Sequence, residues 1–107
     1  MQICIQYLKN INYSIEMQLG EEKNLQFISA VGRVIKKLRT EKTTLSNQEF
    51  AYAFDIKQST FNRIENGKHN SAFYYIWGIV EALGVDFNEF IKLLKDELPE
   101  GFTLIDK

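Results

Sequence analysis

A short row of polar side chains near the middle of the chain combines good hydrogen-bonding groups with helical spacing. Its members are Gln58, Ser59, Asn62 and Arg63. Phe61 and Ile64, three residues apart, are expected to hold the other side of the same helix against a core and to leave this row outward. The amides of Gln and Asn can make two hydrogen bonds to an adenine edge, and the guanidinium of Arg can do so with guanine. The row therefore predicts contacts with the bases of double-stranded DNA.

Polar and basic residues on either side of this row suit the phosphate oxygens of a duplex. The predicted phosphate contacts are Asn47, Gln48, Lys57, Thr60, Asn66 and Lys68. Backbone N–H groups at helix N-termini add to such contacts, which position a protein on DNA without reading its sequence. The two sets together make double-stranded DNA the expected partner.

The row lies within residues 45–68, which predict two short helices joined by a tight turn. Ser46 and Glu49 have the S-x-x-E spacing of a capping box at the start of the first helix. Residues 55–57 form the turn, and Gly67 supplies the left-handed residue that ends the second helix. The residues expected to point inward from the first helix are Phe50, Ala51 and Phe54.

Three further helices are predicted from apolar residues that recur every three or four positions. One runs from about Glu22 to the polar run 40–44. Its apolar face consists of Leu25, Ile28, Val31, Ile35 and Leu38. After the motif, Ser71 is expected to cap a fourth helix, and Asp86 with Glu89 a fifth. The apolar stripe of the fourth helix is Phe73, Ile76, Ile79, Val80 and Leu83. The buried side of the fifth is Phe87, Phe90, Leu93 and Leu94.

Residues 2–19 follow a different pattern, because apolar and polar residues alternate from Ile11 to Leu19. A period of two is typical of a half-buried strand, and Lys9-Asn10 would be the turn of a hairpin. The alternatives are a loosely ordered tail, or a true start at Met17. Residues 102–105 have strand-like composition, and whether they pair with this ribbon stays open.

The predicted fold class is mainly α: five helices, two of them forming a helix-turn-helix, with a short N-terminal β-ribbon or extended segment. Residues 1–21 form the strand-like segment, a candidate for dimer or partner contact. Residues 22–98 form the DNA-binding domain, and residues 99–107 form a C-terminal tail.

Composition argues against several other classes of protein. Cys4 is the single cysteine and His69 the single histidine among 107 residues, so an internal disulfide is excluded and a Cys/His metal site is implausible. No order of residues typical of a catalytic triad and no glycine-rich phosphate loop is present. Neither a membrane-span-length apolar run nor a signal peptide is visible. We therefore expect a cytoplasmic protein that is not an enzyme and needs no metal or cofactor.

The charge is unevenly distributed, although the net charge is only −1. Residues 27–95 contain ten Lys or Arg and seven Asp or Glu, whereas the rest of the chain contains three and seven. DNA affinity depends on positive charge close to the phosphates, so this distribution is compatible with a duplex.

The order of these parts resembles the helix-turn-helix domains of phage repressors, Cro proteins and xenobiotic-response-element (XRE) regulators. The resemblance covers about residues 27–94. It is carried by Leu38-Arg39, Leu45-Ser46, Gln48-Glu49-Phe50-Ala51, Phe54, Ser59-Thr60, Arg63-Ile64-Glu65-Asn66-Gly67-Lys68 and Glu81-Ala82-Leu83-Gly84-Val85. Three positions depart from the family pattern: Asp55 stands where glycine usually makes the turn, Lys57 replaces the usual Ser or Thr cap, and Asn47 replaces the usual Gln. The link between the first two helices is also one residue longer than is typical of the family.

This resemblance implies roles for individual residues. Gln58, Ser59 and Arg63 fall where family members touch bases, and Asn47 and Asn66 fall where they clamp the sugar-phosphate backbone. It also implies a structural ion pair between the first and third helices, formed by Arg39 and Glu65.

The predicted function is a sequence-specific transcriptional regulator, a repressor that occludes a promoter as a homodimer. Its operator would be pseudo-palindromic, with half-sites about one helical turn apart. The N-terminal segment, alone or with the C-terminal tail and the aromatic fourth helix around Tyr74 and Trp77, is expected to form the dimer. The alternative is a protein-interaction module, such as the antitoxin that binds a toxin partner.

Overall fold

The computed structural model describes residues 20–105. The regular elements of this part are the five helices α1 (Glu21–Lys42), α2 (Asn47–Ala53), α3 (Gln58–Glu65), α4 (Phe73–Ala82) and α5 (Phe87–Glu97). The mainly α, five-helix prediction is therefore confirmed for these residues. The ribbon or extended segment predicted for residues 2–19 lies outside the described residues.

α1 is the longest helix and connects the other four. Its first turn carries Glu21 and Glu22 and its last turn carries Arg39 and Lys42, which is the distribution of charge that the helix dipole favours. α3 and α5 both pack against α1, α2 packs against α3, and α4 packs against α5. α1 thus joins a pair formed by α2 and α3 to a pair formed by α4 and α5.

The core lies between these helices and is built from the apolar positions that recur at helical spacing. Its largest fully buried side chains are Phe50, Phe61, Phe90, Ile35, Leu38, Ile64, Val34 and Val80. The rings of Phe50 on α2 and Phe61 on α3 stack with centroids 5.0 Å apart. Burial of a side chain of this size contributes roughly 1.5–3 kcal/mol, so this contact holds the two motif helices together. Ala51, fully buried, leaves them room to approach.

The turns use backbone conformations that the sequence suggested. Asp55 has a φ of 55°, so it adopts the left-handed conformation that glycine usually supplies, and Asp tolerates that region better than most residues. The amide of Ile56 then donates to the carbonyl of Ala51 at 2.8 Å and closes the end of α2. Gly67, with a φ of 70°, ends α3 in the same way.

Three residues predicted to face the core are exposed instead: Leu25 by 54%, Phe54 by 45% and Phe73 by 66%. Leu25 lies near the beginning of α1, before the helix reaches the core. Phe54 follows the last residue of α2, and its ring packs at a tilt against the ring of Phe50, with centroids 4.8 Å apart. Phe73 is the first residue of α4, where it packs edge-on against Trp77 and Phe87 rather than inward.

The predicted caps of the last two helices need correction. α4 begins one residue later than expected, with Ala72 as its N-cap, so Ser71 does not cap it. The Ser71 hydroxyl is buried without a hydrogen-bond partner among the described residues. Asp86 does cap α5 by accepting from the amide of Asn88, whereas the reciprocal bond expected from Glu89 is not among its contacts.

The C-terminal residues run beside the beginning of α1. The Lys23 ammonium donates to the Thr103 hydroxyl at 3.2 Å and to the Ile105 carbonyl at 3.3 Å. The amide of Gly20 donates to the carbonyl of Leu104 at 3.4 Å. Among residues 20–105, no helix has the length and apolar character needed to cross a membrane.

Candidate nucleic-acid interface

α3 has one side in the core and one side in solvent. Phe61 and Ile64 are 0% and 1% exposed, and they anchor the helix. The row predicted to contact bases is exposed along its whole length: Gln58, Ser59, Asn62 and Arg63. Since these positions share one side of a helix, their hydrogen-bonding groups form a single polar surface that a duplex can meet.

Two glycines allow α3 to lie unusually close to α1. A Cβ atom added to Gly32, in the middle of α1, would lie 2.3 Å from the carbonyl oxygen of Ile64 and 2.7 Å from that of Glu65. A Cβ atom added to Gly67 would lie 2.8 Å from the Cα atom of Ser29. The C-terminal end of α3 is therefore seated directly on the backbone of α1, which limits how the helix can tilt.

A largely buried ion pair also fixes α3. Arg39 on α1 donates to both carboxylate oxygens of Glu65, from Nε at 2.7 Å and from Nη2 at 3.1 Å. Its third nitrogen, Nη1, donates to the carbonyl of Leu45 at 2.9 Å. The Arg39 and Glu65 side chains are only 11% and 3% exposed. Two-point geometry of this kind fixes the relative orientation of the helices that carry the charges.

The same carboxylate is linked to the first residue of α3 through α2. The Asn47 amide donates to Glu65 Oε1 at 2.9 Å, and Asn47 Oδ1 accepts from Gln58 Nε2 at 3.2 Å. A continuous path of hydrogen bonds thus runs from Arg39 to the exposed amide of Gln58. The sequence predicted Asn47 as a phosphate contact, but this arrangement gives it a second role, because its side chain orients Gln58.

The C-terminal end of the row is held by hydrogen bonds between residues that are close in the sequence. Arg63 Nη2 donates to the carbonyl of Lys68 at 2.8 Å, and Asn66 donates to the side-chain oxygen of Asn62 at 3.3 Å. Arg63 retains further N–H groups for a ligand, since guanidinium carries five donors. The Asn66 and Lys68 side chains remain exposed beside the row.

The remaining predicted phosphate contacts lie near the N-terminus of α3. Gln48 and Lys57 are exposed, whereas Thr60 is half-buried. Lys57 is the N-cap residue of α3, and its side chain makes no capping hydrogen bond. The N-terminal amides of α3 therefore have no hydrogen-bond acceptor in the side chain of the N-cap residue.

Tyr52 is an exposed residue at this surface that the sequence reasoning missed. Its side chain is 89% exposed, and it shares a groove of about 450 Å³ with Gln48, Glu49, Ile56 and Gln58. Its position four residues after Gln48 was the available signal, because residues at that spacing lie on one side of a helix. Tyr52 extends the polar surface along α2.

The capping box predicted at the start of α2 is confirmed. The Ser46 hydroxyl accepts from the Glu49 amide at 3.1 Å, and the Ser46 amide donates to Glu49 Oε1 at 2.8 Å. The hydrogen bond from the Ser46 amide is the main cause that lowers the pKa of Glu49 below its ordinary value, and the Ser46 hydroxyl acts in the same direction. The capping box thereby fixes the start of α2 at Asn47.

Comparison with known proteins identifies the class to which this geometry belongs. The family model described as helix-turn-helix matches residues 35–90, about half of the chain. This range includes the whole of α2, α3 and α4 and parts of α1 and α5. The chain therefore belongs to the helix-turn-helix family of the Cro and phage repressor (XRE) type, as the sequence predicted. This is a family of DNA-binding transcriptional regulators and not of enzymes.

Individual relatives include a control protein and a restriction–modification controller protein. The control protein C.MunI from a Mycoplasma species is 36% identical over 66 residues, which cover 62% of this chain and 89% of that protein. The restriction–modification controller protein C.Esp1396I is 28% identical, with a TM-score of 0.61 over 66% of this chain and 92% of its own. A tetramer of C.Esp1396I in complex with its natural 35 base-pair operator matches with a TM-score of 0.60 and the same identity and coverage.

Proposed function

We propose that this chain is a sequence-specific regulator that binds double-stranded operator DNA through α3, as a homodimer on a pseudo-palindromic site. The observation that carries the proposal is the exposed row Gln58, Ser59, Asn62 and Arg63 on a helix whose opposite side is fully buried. A helix presented in this way fits the major groove, where hydrogen-bond patterns distinguish all four base pairs.

The contacts divide into base-reading and backbone-positioning groups. Gln58 and Arg63 are the strongest candidates for base reading, because each is held by the protein at one atom and leaves others for DNA. Gln48, Lys57 and Lys68 are exposed around them and suit phosphates. Asn47 has an indirect role, because its side-chain oxygen accepts from the Gln58 amide and orients it.

The relatives suggest which genes such a regulator controls. C.Esp1396I is a restriction–modification controller protein that forms a tetramer on its natural operator. By analogy we infer that this chain regulates restriction–modification genes and represses by occluding a promoter. The relatives described above are control proteins and not antitoxins, so the antitoxin alternative receives no support from them.

Selection of duplexes from a random pool tests this function directly. A regulator of the proposed kind enriches one sequence with two-fold symmetry, and its affinity for that sequence falls steeply as salt rises, because phosphate contacts release counterions. A pool that shows no enrichment, or binding with no dependence on salt, would contradict the proposal. Ser59→Tyr, which places a bulky ring in the row, is the matched variant that should lose enrichment without loss of folding.

A further inference from the structure

The two ends of the described chain meet beside the first turn of α1. The amide of Gly20 donates to the carbonyl of Leu104 at 3.4 Å. The Lys23 ammonium donates to the Thr103 hydroxyl at 3.2 Å and to the Ile105 carbonyl at 3.3 Å. Three hydrogen bonds therefore tie the C-terminal residues to the start of α1.

The backbone at Ile105 is paired as in a strand, whereas that of Gly20 is not. This difference gives the direction of the pairing. If the two segments were parallel, the bond from Gly20 to Leu104 would pair Gly20 itself with Ile105. In an antiparallel ladder the same bond flanks a pair in which the residue before Gly20 lies opposite Ile105. The antiparallel arrangement is the one that leaves Gly20 unpaired with Ile105.

Such a ladder can continue from Gly20 in one direction only. The carbonyl of Gly20 accepts from the amide of Asn24 at 2.9 Å, so it already belongs to the first turn of α1. A strand partner for the C-terminal residues therefore comes from the residues before Gly20, where apolar and polar residues alternate from Ile11 to Leu19. Because residue 19 is joined to Gly20 by a peptide bond, this pairing needs no second chain and closes no new loop.

We propose that residues 17–19, the end of the strand-like segment, pair antiparallel with residues 105–107 of the same chain, with Leu19 opposite Ile105. We call this pairing the terminal clasp. Leu19 and Ile105 are both apolar, and Ile105 is 45% exposed, so the two side chains would cover each other on one side of the ladder. The next residue on each strand is polar, as the alternation requires.

The terminal clasp and the DNA-binding surface use different parts of α1. α3 is seated on Gly32 and bound by Arg39, whereas the clasp meets α1 at Gly20 and Lys23. Both strands of the clasp also lie outside residues 35–90, the range that the family model matches. A failed operator selection would therefore not affect the clasp, and loss of the clasp would leave the proposed function as it stands.

Disulfide cross-linking of the full chain tests the pairing and its register. Cys4, the single native cysteine, is first replaced by serine. Leu19→Cys with Ile105→Cys then places two thiols where the Cα atoms would be about 4.5 Å apart, a separation that a disulfide can span. Leu19→Cys with Leu104→Cys is the matched control, because a shift of one residue turns the second thiol to the other side of the strand. Circular dichroism measures the helix content of each variant.

On mild oxidation the first pair is expected to form a disulfide within one chain, and the control pair is expected to stay reduced. The wild type supplies a second measurement that decides even if a cysteine variant unfolds. A strong nuclear Overhauser effect is expected between the Hα atoms of Leu19 and Ile105, because a non-hydrogen-bonded antiparallel pair brings its residues closest together. A first pair that stays reduced, equal cross-linking of the control, a disulfide that joins two chains, or absence of that Overhauser effect would each overturn the proposal.

Discussion

The polar side of α3 and the aromatic side of α4 are both exposed, but the protomer holds the two helices by different means. Two-point bonds between Arg39 and Glu65 and a backbone contact at Gly32 fix α3 on α1. α4 has no side-chain cap, and its Phe73 and Trp77 rings pack on each other and on Phe87 of α5. A helix that must present hydrogen-bonding groups in register needs such directional restraints. A helix that offers an apolar surface needs only to be held close to its neighbour.

The largest expected effect comes from the ion pair that holds α3. Arg39→Leu is expected to lower the free energy of unfolding by about 3–5 kcal/mol, because Glu65 would keep a buried charge without its cationic partner. Arg33 and Glu97 supply the matched control, since their ion pair has the same 2.7 Å length but side chains that are 55% and 36% exposed. Arg33→Leu is expected to cost less than about 1 kcal/mol. Equal losses in urea unfolding would show that α3 does not depend on the buried pair.

A glycine in α1 and a glycine in α4 sharpen the same comparison. Gly32→Ala is expected to destabilise by about 1–3 kcal/mol, because the new Cβ atom meets two backbone carbonyls that cannot move without α3. Gly78→Ala is expected to stabilise the protomer by about 0.5–1 kcal/mol, because alanine favours a helix and meets nothing there. Thermal unfolding of both variants checks the signs. Two stabilised variants would mean that α1 and α3 are not in tight contact.

The next effect concerns DNA rather than folding. Arg63→Ala is expected to cost roughly 1–3 kcal/mol of binding free energy on the selected operator and to relax preference at one base pair. Lys68→Ala, five residues along, is expected to weaken binding to all sequences alike, because a phosphate contact carries no sequence information. Titrations of both variants against the operator and a scrambled duplex separate the two outcomes. Sequence-independent losses from both would remove Arg63 from the base-reading set.

The smallest effect is the pH dependence of the capping box. The pKa of Glu49 is lowered in the folded state from an ordinary value of 4.5, so its carboxylate stabilises α2 above that pH. This contribution is lost as the pH falls through the folded-state pKa and the carboxylate is protonated. Glu49→Gln should therefore be less stable than the wild type at neutral pH, and the difference should shrink in acid. A difference that grows on acidification would contradict this assignment.

The sequence predicted those parts of the fold that depend on local pattern. The spacing of Phe61 and Ile64, the capping box at Ser46 and the glycine at position 67 each follow from backbone geometry within one or two turns. Those signals were enough to place α3 and its exposed row, although not to show what holds Gln58 in position.

The features that the sequence did not predict depend on contacts between residues that are far apart in the sequence. Gly32 looked like an ordinary residue of a helix, because its contact with the carbonyl of Ile64 exists only once α1 and α3 are packed. The link from Glu65 through Asn47 to Gln58 joins three helices in the same way. Phe73 was assigned to the core from its helical spacing. Helical spacing predicts which side of a helix a residue lies on, but not how far the core extends along that helix. The spacing of Phe73 therefore could not predict its 66% exposure.

The most direct measurement is the change in backbone amide NMR shifts when the selected operator duplex is added to the full chain. The largest changes are expected at residues 58–68 and around Asn47, Gln48 and Tyr52, with small changes at the exposed aromatic residues of α4, Phe73, Tyr74 and Trp77. Changes centred on α4 and α5, with α3 unaffected, would contradict the assignment of α3 as the DNA-reading helix.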